Sequence, residues 1–168
     1  MLRYEPLQLV NWIWYLRLNQ RGWEVSRKRL RVIEERCVGC RICELSCSMF
    51  HHNGAFNPKN GLIQVESNWS FGLNKPVLQM DRPHICQQCE PAPCAEACPV
   101  NAFVKKDDLS IWVINQEECV GCQQCFDECP YNMIVMNKEK ELAMKCDLCG
   151  GEPLCVRYCP TGALVFDE

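Results

Sequence analysis

The chain has 168 residues, 16 of them cysteine, and a formal net charge of −3 at pH 7. This length normally gives one domain or two small ones, and its conventional apolar residues are too few for a large side-chain core. Residues 1–32 carry seven basic and two acidic residues, whereas the rest of the chain is acidic and would repel phosphate, which argues against nucleic-acid binding.

The N-terminal residues 1–30 predict a helical docking extension. Pro6 suits a helix start and Gly22 a helix stop, and apolar residues cover most sides between them. Three tryptophans and several arginines favour contact with another chain, including a second copy of this one. A helix folded back on its own body and a membrane-surface helix are the competing interpretations.

The apolar run at residues 7–18 is too short and too polar for a transmembrane segment, which needs about 20 apolar residues. The same segment lacks the pattern of a cleaved export signal. We therefore expect a cytoplasmic protein in a reducing compartment, where disulfides seldom persist.

The cysteines form four groups of four, and three of the groups end in Cys-Pro. They are Cys37-x2-Cys40-x2-Cys43-x3-Cys47, Cys86-x2-Cys89-x4-Cys94-x3-Cys98, Cys119-x2-Cys122-x2-Cys125-x3-Cys129 and Cys146-x2-Cys149-x5-Cys155-x3-Cys159. We call them motifs one to four. Motif three matches the bacterial ferredoxin run outright, and each of the others departs from it at one gap or at the closing proline.

Short strands are predicted between the motifs, with each fourth cysteine leading into a helical turn. Residues 62–65 and 77–80 are the first candidates. Residues 103–105 with 111–114, and 134–136 with 142–144, read as two hairpins, and residues 163–166 as a terminal strand. The predicted fold class is a small α+β protein of tandem ferredoxin-like modules, with clusters replacing most of the core.

The spacing within the motifs favours [4Fe–4S] clusters over two alternatives. Zinc typically uses two separated C-x2-C knuckles and does not need the third and fourth cysteines found here at short range. A disulfide scaffold conflicts with the expected reducing compartment. Four runs with no cysteine left over predict four [4Fe–4S] clusters, with all 16 cysteines as iron ligands and no catalytic residue.

In ferredoxin modules, the fourth cysteine of one motif ligates the cluster of its partner motif. A nested arrangement pairs motif one with motif four in an outer module, and motif two with motif three in an inner module. Pairing one with two and three with four is the alternative. The nested ligand sets are Cys37, Cys40, Cys43 and Cys159; Cys146, Cys149, Cys155 and Cys47; Cys86, Cys89, Cys94 and Cys129; and Cys119, Cys122, Cys125 and Cys98.

Three histidines lie close to motif cysteines. His51 and His52 are not needed as ligands, because 16 cysteines satisfy four clusters, so we expect them to be donors near a cluster or surface residues. His84 is expected to be structural.

Roughly residues 30–168 resemble the four-cluster ferredoxin-like subunits of molybdenum and tungsten oxidoreductases, with motif two especially similar. The run from Arg31 to His51 resembles the iron–sulfur subunit of tungsten aldehyde:ferredoxin oxidoreductase-type complexes, and the corresponding benzoyl-CoA reductase subunit is also similar. The resemblance implies the nested ligand exchange and a tungsten- or molybdenum-pterin catalytic partner. It also implies a flavin subunit or ferredoxin as the other redox partner.

The sequence therefore predicts an electron-transfer subunit that relays single electrons through its clusters and is not itself an enzyme. A free polyferredoxin that shuttles between enzymes is the alternative, as is a subunit of a tungsten benzoyl-CoA reductase. A zinc-stabilised interaction module is the non-redox reading.

Overall fold

The structure is a computed structural model that describes residues 29–54, 56–68 and 80–167. The predicted N-terminal helix and most of the predicted strand at residues 77–80 lie outside the described residues. Within the described part of the chain, no helix combines the length and apolar character needed to cross a membrane.

Short strands pair in four separate antiparallel ribbons. β1 pairs with β8, β2 with β3, β4 with β5, and β6 with β7. The strands are β1 (Arg29–Val32), β2 (Gln64–Asn68), β3 (Met80–His84), β4 (Phe103–Lys106), β5 (Ile111–Ile114), β6 (Val135–Asn137), β7 (Leu142–Met144) and β8 (Leu164–Asp167). These pairs agree with the predicted α+β class, and both predicted hairpins are confirmed within one residue at each end.

The helices are short, and each includes part of a cysteine motif. They are α1 (Ile42–His51), α2 (Pro93–Glu96), α3 (Gln124–Asp127) and α4 (Leu154–Arg157), with 3₁₀ turns at Glu34–Arg36, Pro58–Asn60 and Leu148–Gly151. In motifs two to four the helical turn ends before the fourth cysteine, so the expectation that this cysteine leads into the helix was wrong. The x3 gap explains the difference, because it separates the third and fourth cysteines by one helical turn.

The β1–β8 ribbon joins the first described residues to the last. Arg29 lies opposite Asp167 and Val32 opposite Leu164, and the ribbon continues in a 2.7 Å hydrogen bond from the Ile33 amide to the Ala163 carbonyl. Because motif one follows β1 and motif four precedes β8, this ribbon brings the two outer motifs side by side.

Two hairpins connect the remaining motifs. The β4–β5 hairpin lies between motifs two and three, and the β6–β7 hairpin between motifs three and four. The Gln116 side-chain amide donates a 2.9 Å hydrogen bond to the carbonyl of Ala143 in β7. The second hairpin is thereby tied to the end of the first.

Buried apolar residues form two clusters that contain cysteines. One includes Cys43, Cys47 and Cys155 of motifs one and four, with Leu62 and Leu148 among its most buried members. The other packs Cys94 and Cys125 of motifs two and three against residues including Ala92, Phe103, Ile134 and Ala143. The cysteines are thus part of both interiors, and the division into outer and inner modules stays a prediction.

Candidate iron–sulfur sites

The 16 cysteines surround four cavities, each lined by four cysteines of the nested sets. Site 1 is lined by Cys37, Cys40, Cys43 and Cys159; site 2 by Cys146, Cys149, Cys155 and Cys47; site 3 by Cys86, Cys89, Cys94 and Cys129; and site 4 by Cys119, Cys122, Cys125 and Cys98. The four cavities are similar in size. The cavities therefore suit four copies of one group.

Each cavity takes three cysteines from one motif and a fourth from its nested partner, and Cys86 of motif two also lines site 2. Cys159 reaches site 1 through the β1–β8 ribbon, and Cys47 reaches site 2 from the second turn of α1. None of the four cavities has the four-cysteine set expected if motif one paired with motif two and motif three with motif four. Ligation by these sets remains a prediction.

The backbone turns around the cavities at residues in the left-handed conformation, glycines among them. Gly39 in site 1 and Gly121 in site 4 have φ values of 65° and 67°. A Cβ at Gly39 would collide with the Asp81 carboxylate, and one at Gly121 would collide with the Glu141 carbonyl oxygen. Gly121 therefore requires glycine for two reasons, backbone conformation and close approach to another backbone segment. At Gly39 the backbone conformation requires glycine, and a Cβ would also displace the Asp81 side chain.

A repeated hydrogen bond orients the fourth cysteine in motifs two, three and four. The amide four residues later donates to its sulfur, at 3.3 Å for Cys98, 3.3 Å for Cys129 and 3.2 Å for Cys159. In motif one, the Leu62 amide donates to Cys47 at 3.2 Å. N–H donors stabilise a thiolate more than a thiol, so the contact at Cys159 favours the ionised, metal-binding form.

Burial makes several of the thiols poor acids while no cation is bound, and Cys47 is one of them despite its N–H donor. Burial raises the pKa of Cys43, Cys47 and Cys94 to about 12 each, and neighbouring cysteines add to the rise. The pKa of Cys159 is lowered instead, because amide and hydroxyl donors outweigh its partial burial. Four buried thiolates in one cavity need a cationic group at the centre, which fits an iron–sulfur cluster or another metal.

The separation of the sulfurs discriminates between these groups. A single tetrahedral zinc with Zn–S bonds of about 2.3 Å would place its ligand sulfurs about 3.8 Å apart. Among the described residues, the one cluster of three ligand atoms all within 4.8 Å of one another is His51, Asp147 and Cys149, and it contains a single cysteine. No set of four cysteines is that compact, so the sets fit a group larger than one ion. All 16 cysteines are free of disulfide bonds.

The histidines occupy three different settings. Nε2 of His51 lies 4.0 Å from the Cys149 sulfur and 3.4 Å from Asp147 Oδ1, and burial lowers the pKa of His51. His52 contacts the Asn60 carbonyl at 3.1 Å, and His84 pairs with Glu66 at 2.9 Å across the β2–β3 ribbon. His51 is thus the histidine beside a site, whereas the His84–Glu66 pair is exposed and the structural role of His84 stays a prediction.

Sequence reasoning missed two buried polar side chains between the sites. Lys145 directly precedes motif four and lines site 3, and Gln88 lies between the first two cysteines of motif two. Both are buried, at 7% and 3% exposure. A lysine adjoining a ligand cysteine was the available signal, but sequence alone does not separate a buried lysine from a solvated one.

Two protein-family models match the chain. One described as "4Fe-4S dicluster domain" covers residues 78–168, which is more than half of the chain, and one described as "4Fe-4S binding domain" covers residues 34–49. The two matched segments include all four cysteine motifs. Both matched segments therefore have the sequence features of iron–sulfur binding domains.

Known proteins from two organisms are similar over most of the chain. The polyferredoxin-like subunit of aliphatic sulfonate oxidoreductase from Pyrococcus furiosus is 36% identical over 128 residues, covering 76% of this chain and 69% of the relative. A tetrathionate reductase subunit from Salmonella typhimurium is 33% identical, covering 79% of this chain and 54% of the relative, so the chain spans about half of that protein.

A solved structure is also similar, the active site complex BamBC of benzoyl coenzyme A reductase with benzoyl-CoA. One of its chains is 25% identical, with 83% of this chain and 78% of that chain covered and a TM-score of 0.44.

The family models and the two relatives confirm the predicted resemblance to ferredoxin-like subunits of oxidoreductases. Because both relatives are named as subunits and one as polyferredoxin-like, they also confirm that the chain is of an electron-transfer type and not a catalytic subunit. Metal, substrate and partner identity are not part of this agreement. On the family match and the identity to its relatives, the chain belongs to the 4Fe-4S dicluster-domain family of ferredoxin-like iron–sulfur proteins.

Proposed function

We propose that this chain is a four-cluster electron-transfer subunit, with one [4Fe–4S] cluster held by the four cysteines of each site. A bound [4Fe–4S] cluster supplies one-electron transfer at a potential set by charge, hydrogen bonds and exposure. The chain's own residues fix the spacing of the four sites and their surroundings. The single observation that carries the proposal is the grouping of all 16 cysteines around four cavities of similar size.

The sites have a linear order, 1–2–3–4. Sites 1 and 2 are bridged by α1, which carries Cys43 for one and Cys47 for the other. Sites 3 and 4 are bridged by α2, where Cys94 belongs to site 3 and Cys98 follows the helix into site 4. Sites 2 and 3 meet at Cys86, which lines both cavities. The order gives a continuous path for electrons.

The two ends of this path are the accessible ones. Cys40 of site 1 and Cys122 of site 4 are the exposed cysteines, whereas those of sites 2 and 3 are buried or half-buried. Val38 and Val120, each between the first two cysteines of its motif, are 61% and 64% exposed. Electron partners therefore approach at sites 1 and 4, where apolar contact is available.

The partners follow from the relatives and from the resemblance described above. We assign one end to a tungsten- or molybdenum-pterin catalytic subunit, of the aldehyde oxidoreductase type or of a related oxidoreductase. The other end serves a flavin subunit or another redox protein. A free polyferredoxin shuttle is the second candidate, because sites 1 and 4 are both open to solvent-borne partners.

Anaerobic purification from the native host, with iron, zinc and sulfide analysis, tests the proposal. We expect four clusters of four irons per chain and co-elution with a larger pterin-containing chain. A stable monomer with the full iron content would favour the shuttle. A folded chain with one zinc per site, or with little iron, would contradict the proposal.

Serine variants test the ligand sets. Cys43→Ser and Cys159→Ser should alter one electron paramagnetic resonance (EPR) signal, and Cys47→Ser and Cys149→Ser a second. If Cys47→Ser altered the same signal as Cys43→Ser instead, the nested assignment would be wrong.

A further inference from the structure

Lys145 is a buried positive charge placed between two candidate cluster sites. It follows β7 and directly precedes Cys146 of site 2, and its side chain lines the cavity of site 3 beside Cys86, Cys89 and Cys94. Only 7% of the residue is exposed. Lysine is rarely buried to this degree unless a partner offsets the cost of removing its charge from water.

The direct partners of Lys145 are neutral. Its Nζ donates to Oε1 of Gln88 at 2.5 Å and to the main-chain carbonyl of Trp112 at 2.8 Å. None of the ion pairs found in the described part of the chain includes Lys145. The anion that offsets its charge must therefore be sought in the adjoining cysteine sites.

The thiolates of site 3 are such an anion. Lys145 lines the site 3 cavity together with Cys86, Cys89 and Cys94, and the next residue along the chain is Cys146 of site 2. Four thiolates around a [4Fe–4S] core leave a net negative charge, which grows by one when an electron is added. A fixed buried cation stabilises the more negative, reduced form.

On this geometry, and resting on the function proposed above, we propose that Lys145 is a positioning residue that raises the reduction potential of the site 3 cluster. Gln88 holds the ammonium in place, since its amide is itself anchored to the Cys146 carbonyl at 2.9 Å. Sites 1 and 4 have no buried lysine among their lining residues. Lys145 therefore favours reduction of the site 3 cluster, which lies in the middle of the path.

EPR-monitored redox titration of the anaerobically purified full-length protein tests this, with the site 3 signal identified beforehand as the one altered in Cys89→Ser. In Lys145→Gln, the reduced-to-oxidised ratio of that cluster at fixed potential should fall at least tenfold, which is 59 mV for a one-electron couple. Lys145→Arg, which keeps the charge, should restore most of the ratio.

Two further variants separate charge from structure. Lys140→Gln removes an exposed lysine from the β6–β7 turn and should leave the ratio within threefold of wild type. Gln88→Glu keeps Lys145 but places a carboxylate next to its Nζ, so the reduced-to-oxidised ratio should fall as it does in Lys145→Gln. This variant provides the test if Lys145→Gln retains its clusters poorly.

An unchanged ratio in Lys145→Gln or in Gln88→Glu, with full iron content, would overturn the role of Lys145 and leave the four-cluster function intact. So would a fall in Lys145→Arg equal to that in Lys145→Gln. Absence of [4Fe–4S] signals from the wild-type protein would overturn the proposed function itself, and this inference with it.

Discussion

The side-chain amide of Gln88 donates a 2.9 Å hydrogen bond to the main-chain carbonyl of Cys146, 58 residues along the chain. The bond joins motif two to motif four, and therefore the inner pair of motifs to the outer pair. Gln88 adopts a left-handed φ of 49° within the Cys86–Cys89 loop, which directs its side chain inward. The same side chain accepts from Lys145, so one residue serves two buried polar groups.

Replacing Gln88 with alanine should destabilise the junction between sites 2 and 3. The Cys146 carbonyl and the Lys145 ammonium would each lose a partner, at a cost of about 1–3 kcal/mol for each buried group left unsatisfied. Anaerobic guanidinium unfolding, followed by visible absorbance, would measure the loss. Gln87→Ala is the matched control, because that neighbouring side chain is exposed. Equal midpoints for the two variants would contradict a role for the Gln88 bond.

Gly121→Ala should weaken cluster retention at site 4. The substitution forces an L-residue into φ 67° and drives its Cβ against the Glu141 carbonyl oxygen. The conformational part alone costs about 1–2 kcal/mol, and the backbone collision adds to it.

Gly54→Ala provides the comparison, since Gly54 also has a positive φ of 87° but open space at its Cβ position. Iron retention against a chelator, measured on both variants, isolates the collision. A Gly54 variant as labile as the Gly121 variant would show that backbone conformation accounts for the whole effect.

Glu44→Ala should destabilise the protein by removing a hydrogen bond between α1 and β2. This carboxylate is 3% exposed, pairs with Arg41 at 3.2 Å and accepts from the Val65 amide at 2.5 Å. A lost bond to a charged group of this kind costs about 1.5–3 kcal/mol, so unfolding should begin at lower denaturant concentration. Glu44→Gln keeps an acceptor and should cost less. Glu66→Gln, at an exposed pair with His84, should change stability by less than about 0.5 kcal/mol.

Cluster retention should fall as pH falls. Burial raises the pKa of Cys43, Cys47 and Cys94 to about 12, so in the cluster-free protein these thiols are protonated at neutral pH. Iron competes with a proton at each sulfur, and its apparent affinity therefore increases with pH throughout the range below the thiol pKa. Iron lost to a fixed chelator concentration at several pH values between about 6 and 9 would measure this. Retention independent of pH would contradict ligation by these thiols.

Removal of residues 1–28 should reduce the size of the complex while leaving the visible cluster absorbance unchanged. The predicted docking extension spans residues 1–30, but the truncation stops at residue 28 because β1 begins at Arg29 and Leu30 is buried in the interior. Light scattering coupled to size exclusion gives the mass of each assembly. An assembly of unchanged composition would show that neither the partner nor a second copy binds through this segment.

Local features of the fold were largely predictable from sequence. Both hairpins lie between consecutive motifs, where a charged turn separates two short apolar runs, and each strand pairs with its sequence neighbour. β1 was missed, because the residues from Arg29 to Val32 alternate basic and apolar side chains and read as part of the basic arm. Their partner, β8, lies at the other end of the chain, so no local pattern signals the pairing.

The spacing of cysteines along the chain is a short-range property, because turns of two to five residues dictate which sulfurs can face one centre. From it we predicted the cluster type, which the family models support, and the three cysteines that each motif contributes to its own site, which line one cavity in each case. It left open which motif supplies the fourth cysteine, and the tertiary structure groups the sulfurs in the nested sets through the β1–β8 ribbon.

Tertiary structure also decided which charges are buried. Lys145 adjoins a motif cysteine and Lys140 does not, but sequence alone does not show which of the two is buried. Packing against Gln88 and Trp112 removes Lys145 from water, whereas Lys140 stays exposed. The positions of the first three cysteines of a motif depend on the backbone between near neighbours, so sequence spacing predicts them. The burial of a lysine depends on every segment that folds over it, so only the tertiary structure decides it.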